Sequence, residues 1–258
     1  MNLIATVYAA EEPAGLSVHL DPYVVGHIGS MPITSTLITV WLVMVLLLIV
    51  AIIIKSRLSL VPGKLQSVFE LLVGGAYDYV HSVLEDKKLT NRYFPIIVTI
   101  FIFILGINWI GLIPGVGAIG FYDEHRHLVP LLYPGSTDLN ITIGLTIVAF
   151  VTIEVAGVLA IGVWKYAGKF INLRSPLSFV LGLIELISEL ARLISFSFRL
   201  FGNVFAGKTL LLVTIFFVPY ILPVPIYAYE LFVGLIQALV FAILTLFFIK
   251  LAIEEPFH

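Results

Sequence analysis

The stretch SFSFRLFGNVFAGK, residues 195–208, decides the fold of this chain, because it places Arg199 inside a mostly apolar run from Pro176 to Val218. A guanidinium group stays charged at any physiological pH. Moving such a charge to the centre of a bilayer costs at least ~2.5–3.5 kcal/mol. Charges retained there face a partner or a water-filled cavity. We therefore expect Arg199 to face one of the two.

The composition is that of an integral membrane protein. Hydrophobic residues make up 60% of the chain and charged residues 12%, against ~45–50% and ~25% in soluble domains. The absence of cysteine excludes disulfides and thiolate metal sites. His125 and His127 fall in a loop that we expect to be solvated, so we predict no metal site and no cofactor. The sequence has no basic patch interleaved with aromatic residues, so we do not expect nucleic acid as a partner.

The N-terminal part predicts an extracytoplasmic tail followed by a first membrane span. Residues 1–32 contain no Lys or Arg and therefore lack the basic region of a signal peptide. Residues 33–54 are apolar and long enough to cross a ~30 Å hydrocarbon core. Lys55 and Arg57 follow at once, which places this end of the span in the cytoplasm.

Residues 61–85 predict an amphipathic helix that lies in the membrane interface. Leu65 and Leu72 belong to an apolar set at helical spacing, and Glu70 and Asp78 fall on the opposite side.

Two further spans are predicted at 93–113 and 139–164, joined by an outer loop. Asp138 precedes the second of these spans and is well placed as a helix N-cap. Glu154 lies within that span, and no role follows for it from the sequence.

The distribution of basic residues predicts the topology. Nine of the 14 Lys and Arg residues fall in two loops on one side of the membrane, while residues 1–32 and 114–138 together hold only Arg126. By the positive-inside rule the N-terminus is extracytoplasmic and the C-terminus cytoplasmic. The chain, residues 1–258, is predicted as a single membrane domain without repeats. The nine residues are Lys55, Arg57, Lys64, Lys87, Lys88, Arg92, Lys165, Lys169 and Arg174.

The C-terminal third predicts a long helical hairpin, residues 176–218 and 226–253, with a proline-rich turn between them. As one helix, the first segment would be about 65 Å long, twice the thickness of a bilayer core. It is therefore either two helices or one strongly tilted helix, and we favour the latter because glycines alone interrupt it. The predicted fold is an all-α integral membrane protein: one N-terminal transmembrane helix, an interfacial helix, a transmembrane hairpin and a tilted hairpin.

Polar side chains of the 176–218 segment share one helix face. Five of them lie within about 80° of arc over about 27 Å: Glu185, Glu189, Arg192, Arg199 and Asn203. Ser188 and Ser195 border this face, while Lys208 lies off it. On the last helix, Glu230 and Gln237 are seven residues apart and share a face.

Purely structural interpretations remain open for most of these residues. They are an ion pair within the helix for Glu189 and Arg192, a backbone bond for Ser195, a pair across the hairpin for Lys208 and Glu230, and a helix–helix hydrogen bond for Gln237. Arg199 differs because no acidic residue lies three or four positions away. Its partner is expected outside its own helix.

These motifs resemble subunit a of the F-type ATP synthase. The resemblance covers roughly residues 33–255. It rests on residues 198–207 (FRLFGNVFAG), 61–64 (VPGK), 137–140 (TDLN) and 237–238 (QA). It implies a stator that packs against the rotating ring of c subunits, with the b subunits of the peripheral stalk and the rest of the synthase as further partners in the lipid bilayer.

The resemblance also implies residue roles. Arg199 takes the position of the essential charge that faces the ring carboxylate. The cytoplasmic half-channel would include Glu185, Ser188, Ser195 and Glu189. The outer half-channel would include Asn203, Glu230, Gln237, Lys208 and, less directly, Asp138. Many relatives carry an acid or a histidine where this chain has Lys208, so the outer path is expected to depend on Glu230 and water.

Three alternatives stay open. The same subunit could translocate sodium, since the ring largely sets ion choice. A stand-alone secondary transporter is another class, although internal repeats are missing. A structural anchor conflicts with the polar face. No glycine-rich phosphate loop is present, so the chain would not act on ATP itself. The expected location is a bacterial plasma (inner) membrane.

Overall fold

A computed structural model describes residues 22–57, 63–113, 115–116, 119–122, 128–170 and 175–254. Several sequence predictions lie outside these residues. They concern the tail over residues 1–21, the VPGK motif up to residue 62, the charged outer-loop run 123–127, Arg174 and the last four residues.

Seven α-helices form most of the described structure: α1 Ser35–Arg57, α2 Lys64–Leu84, α3 Lys87–Ile110, α4 Leu139–Ile161, α5 Val163–Phe170, α6 Pro176–Phe217 and α7 Pro223–Ile253. By length and composition, α1, α3, α4 and α7 could each cross a membrane. The prediction of an all-α membrane protein is confirmed. No bilayer accompanies the structure, so the tilt of the α6–α7 hairpin and the interfacial position of α2 remain predictions.

Helix ends are set by side-chain caps. Asp86 caps α3 by accepting hydrogen bonds from the backbone N–H groups of Lys88, at 2.6 Å, and Leu89, at 3.1 Å. Helix α3 therefore begins before the apolar residues from which the membrane span was predicted. Asp138 caps α4 by accepting from the N–H of Asn140 at 2.9 Å.

A glycine ends α4 and starts a helix that the sequence did not predict. Gly162 has φ of 92°, a backbone conformation that side chains disfavour. The chain turns there and continues as α5, which packs against α4 and α6.

Two short antiparallel hairpins are present among the described residues: β1 Val24–Ile28 with β2 Met31–Thr34, and β3 Gly120–Tyr122 with β4 Leu128–Pro130. Neither was predicted. The first was detectable in the sequence, because a two-residue turn begins at Gly29, whose φ is 63°, and glycine is the residue such turns require there.

The core lies where α3, α4, α6 and α7 pack together. Its middle is a cluster that we call the central apolar cluster: Ile104, Ala149, Phe196, Leu200, Ala238 and Phe241. A second cluster involves α2, α3, α4 and α7. Helix α1 packs on α3 at Gly106, where a side chain would meet Val43 at 2.8 Å, and much of its remaining surface is exposed apolar side chains.

Candidate functional site

Arg199 lies on the exposed side of α6. Its Nη2 donates a hydrogen bond to Ser195 Oγ at 3.2 Å, and its guanidinium carbon lies 5.8 Å from the centre of the Phe196 ring. No carboxylate of the described residues forms an ion pair with it. Phe198, next to it on α6, and Ala206, two turns further along the same face, are exposed and apolar. Arg199 is therefore a charge presented outwards from an apolar surface.

One polar cavity, of about 270 Å³, lies between α5, the first half of α6 and the end of α7. We call it the Glu189 cavity. It is lined by Ile161, Lys165, Tyr166, Lys169, Glu185, Glu189, Arg192, Phe248, Leu251, Ala252 and Glu254.

An ion network fills the wall of the Glu189 cavity. Glu189, only 3% exposed, accepts from Arg192 at 2.6 Å and lies 3.5 Å from the ammonium group of Lys169. Lys169 also pairs with Glu185 at 2.7 Å. The Arg192 guanidinium stacks 3.8 Å from the centre of the Phe248 ring. The local ion pair considered for Glu189 and Arg192 is present, and Lys169 is the member that sequence reasoning missed.

A second polar cavity, of about 170 Å³, lies between the second half of α6, the start of α7 and the end of α3. We call it the Glu230 cavity. It is lined by Asn108, Leu112, Asn203, Val204, Ala206, Gly207, Leu210, Tyr229, Glu230, Val233 and Gly234.

Glu230 is the carboxylate of this second cavity. It is 5% exposed, and its Oε1 has no hydrogen-bond partner. Its carboxylate packs directly on Gly207 of α6, and a side chain at residue 207 would displace it. Asn108 is buried with both polar atoms of its side chain unpaired. No role was predicted for Asn108 from the sequence, and it lines this cavity because α3 packs on α7 at Gly234.

Lys208 lies near enough to Glu230 to act on it electrostatically, but its hydrogen bond goes to another group. Its ammonium group donates to the carbonyl oxygen of Gly111 at 3.2 Å and lies 5.7 Å from the centre of the Tyr133 ring. Burial, with smaller contributions from Tyr23 and Glu230, raises the pKa of Tyr133 to about 12, so this phenol stays neutral.

The direct pair considered for Lys208 and Glu230 is wrong in this structure. No ion pair links the two among the described residues. Gly111 follows the last residue of α3, and a helix C-terminus attracts a cation.

Asp138 lies apart from both cavities. It is buried, caps α4 and accepts a hydrogen bond from the Thr36 hydroxyl at 2.9 Å. These contacts tie α4 to α1.

Arg199 and Gln237 meet in a narrow cleft between α6 and α7, lined also by Phe196, Leu200 and Phe241. Three of these residues belong to the central apolar cluster. Along α6 this cluster follows the residues of the Glu189 cavity and precedes those of the Glu230 cavity; along α7 the order is reversed. The two polar cavities are thus separated by apolar side chains at the depth of Arg199.

The remaining predicted site residues lie along α6. Asn203 is exposed and lines the Glu230 cavity. Ser188 is exposed and donates to the backbone carbonyl of Ile184 at 2.9 Å. Ser195 accepts from Arg199, in place of the backbone bond that was considered for it.

This arrangement defines a class: a multi-pass helical membrane protein with polar cavities at two depths and, between them, an arginine that no described carboxylate pairs with, as expected of proteins that move ions. A sequence model of the family described as ATP synthase A chain matches residues 37–250. The chain belongs to this family.

Individual relatives agree. The chain is similar to the ATP synthase subunit a of Moorella thermoacetica, with 31% identity over 90% of this chain and 96% of the relative. It is similar to that of Mycobacterium ulcerans, with 34% identity over 87% and 90%, and to that of Mycobacterium bovis, with 32% identity over 98% and 99%. The family supports a role as an ion-translocating stator within the synthase complex, in preference to a stand-alone transporter.

Proposed function

We propose that this chain is the proton-translocating stator subunit of an F-type ATP synthase, in which two offset half-channels meet a rotating c-ring on either side of Arg199. The observation that carries the proposal is the position of Arg199. It is exposed on α6, lacks an acidic partner among the described residues, and lies at the depth of the central apolar cluster.

The Glu189 cavity is assigned to the cytoplasmic half-channel. It lies at the N-terminal end of α6, beside Lys165 and Lys169, whose side is cytoplasmic by the positive-inside rule. Glu185 is partly exposed in its wall, so it can exchange protons with water. Ser188 and Ser195 continue from this cavity along α6 towards Arg199.

The Glu230 cavity is assigned to the outer half-channel. Its buried carboxyl Oε1 has no fixed partner, which leaves it free to bind and release a proton. Asn203, about 6 Å from Arg199 along the helix, and Gln237, in the cleft with Arg199, lead from Glu230 towards the ring. Lys208 is bonded elsewhere and serves as a tether between α6 and α3. Asp138 serves the structure of the outer end.

The geometry suggests how coupling works. A ring carboxyl moving through lipid must be protonated, because a bare carboxylate is costly there. Opposite Arg199 the ionised form is favoured, so the proton leaves to one half-channel and another enters from the other side. The central apolar cluster and the fixed charge of Arg199 together oppose a direct leak between the cavities.

The exposed face of α6 that carries Arg199 is the proposed contact with the c-ring. Small and apolar side chains, Ala191, Phe198 and Ala206, flank the arginine on this face and are exposed. The b subunits would contact other membrane-facing helices. The proposed setting is a bacterial plasma membrane, with the N-terminus outside and the C-terminus in the cytoplasm.

Replacement of Arg199 tests the proposal. In inverted membrane vesicles that contain the complete synthase, Arg199→Ala should abolish ATP-driven acidification, read with a pH-sensitive dye. Arg92→Ala is the matched control, because Arg92 is exposed at the start of α3 and lies in neither cavity. Retention of coupled pumping in Arg199→Ala would contradict the proposal. Sodium uptake that persists in the presence of a protonophore would show that the transported ion is sodium, and the stator role would stand.

A further inference from the structure

Two orphaned polar atoms lie beside the Glu189 cavity and have no part in the proposed path. They are Oε1 of Glu154, on α4, and the hydroxyl of Tyr166, on α5; both are buried, and neither has a hydrogen-bond partner. Tyr166 is 5% exposed and lines the cavity. Buried polar atoms without partners are uncommon, and each indicates an unseen water or a function.

The backbone of α4 brings these two side chains together. The Tyr166 ring lies directly on Gly157, where a side chain would come within 2.9 Å of the phenol carbon Cζ. Gly157 is three residues after Glu154, so the two positions share one face of α4. The phenol and the carboxyl group lie close enough to act on each other electrostatically, with no hydrogen bond joining the phenol hydroxyl to Glu154 in this structure. Because residue 157 is a glycine, the Tyr166 phenol can lie close to the Glu154 carboxyl group.

The charges around Glu154 are already engaged with other partners. Lys169 on α5, and Glu189 and Arg192 on α6, act on it electrostatically. Both cations, however, are paired with Glu189, and Lys169 also with Glu185. Glu154 forms no ion pair with a described residue. A buried carboxylate without a paired cation costs far more than a protonated carboxyl group in the same place.

We infer that Glu154 and Tyr166 form a proton-binding site that opens on the Glu189 cavity through the phenol. A proton from cavity water binds the phenol oxygen as the phenol passes its own proton to the Glu154 carboxylate. The carboxyl group becomes neutral, the phenol is unchanged, and the reverse transfer returns the proton to the water. Burial, and next the charge of Glu154, raise the pKa of Tyr166, which keeps the phenol protonated between transfers.

The site adds a proton-binding group to the proposed cytoplasmic half-channel. Its use as a proton store for ring carboxyls rests on the proposed function, whereas proton binding itself rests on the geometry alone.

Infrared spectroscopy of the intact purified synthase, near neutral pH and without turnover, tests the site. The carbonyl stretch of a protonated carboxyl should be present in the wild type and lost in Glu154→Gln. In Tyr166→Phe the band should persist at higher frequency, because a polar hydroxyl beside the carbonyl group is replaced by an apolar edge. Its exchange with deuterated solvent should slow by about tenfold or more, because the positioned relay is missing. Gly157→Ala, which displaces the phenol and changes no titratable group, should act in the same direction.

Two exposed residues on α2 provide controls. Glu70→Gln and Tyr79→Phe should leave the band and its exchange unchanged. A spectrum of Glu154→Gln identical to the wild type would overturn the inference, and so would unchanged exchange in Tyr166→Phe. These spectra do not depend on pumping, so their outcome is separate from that of Arg199→Ala.

Discussion

The two polar cavities on either side of Arg199 handle charge in different ways. In the Glu189 cavity, two carboxylates and two cations pair within 3.5 Å of one another. In the Glu230 cavity a single buried carboxyl has an unpaired oxygen, and the nearby lysine is bonded to a backbone carbonyl. Removing one member of a buried ion pair leaves a costly unpaired charge, so the members hold one another in place, whereas an unpaired carboxyl group can change its protonation state. The ion pairs therefore hold the Glu189 cavity in shape, whereas proton exchange in the Glu230 cavity depends on Glu230.

Among the residues of the two cavities, Glu230→Gln should have the largest functional effect. The amide keeps the shape of the side chain but cannot bind and release a proton. ATP-driven proton uptake in inverted vesicles should fall by about a hundredfold, as for loss of a positioned proton-transfer group, while ATP hydrolysis by the detached catalytic sector is unchanged. Uptake above half of the wild-type rate would contradict the role of Glu230.

Glu189→Gln should affect stability more than Glu230→Gln does. It leaves Arg192 without its buried partner, and breaking a buried pair costs about 3–5 kcal/mol. Glu185→Gln is the matched control. Its side chain is 36% exposed, and pairs of that kind contribute about 1 kcal/mol or less. Thermal inactivation of the detergent-solubilised complex should separate the two variants. Equal behaviour would mean that the Glu189 network does not hold the cavity together.

Lys208→Ala should weaken pumping mildly. The variant loses the hydrogen bond between the charged ammonium group and the Gly111 carbonyl, worth about 1.5–3 kcal/mol. That loss falls on the packing of α6 against α3, and Glu230 stays in place, so proton uptake under the same assay should fall by less than about tenfold, which corresponds to about 1.4 kcal/mol of barrier. A loss as large as that of Glu230→Gln would show that Lys208 takes part in the outer path.

Asp138→Asn should have the smallest effect. Asparagine keeps the N-cap of α4 and can still accept from Thr36, so removal of the charge alone should leave pumping unchanged. Asp138→Ala, which removes both contacts, should lower the unfolding midpoint, because loss of a cap costs about 1 kcal/mol. Strongly reduced pumping in Asp138→Asn would place this residue in the outer path after all.

Much of this architecture was predictable because apolar length and charge position act locally along the chain. The fold class, the cap at Asp138 and the shared face of Glu189 and Arg192 follow from spacing alone. The contributions of Lys169 and Asn108 do not, since they depend on how α5 folds back and on how α3 meets α7.

The contact of Lys208 shows the same limit. Sequence spacing placed it near Glu230, but the free carbonyl at the end of α3 attracts its ammonium group instead. Glu154 received no role from spacing, because its partner Tyr166 lies beyond the Gly162 turn. Sequence reasoning missed the residues whose neighbours in the structure lie beyond a turn of the chain.

The most direct test of the stator account is an experimental structure of the intact membrane sector. The account predicts that the exposed face of α6 packs against the c-ring, with the Arg199 guanidinium within about 4 Å of a ring carboxylate, an ion-pair distance, or joined to it through one water. A structure in which Arg199 faces lipid, and the ring packs on another helix, would contradict it.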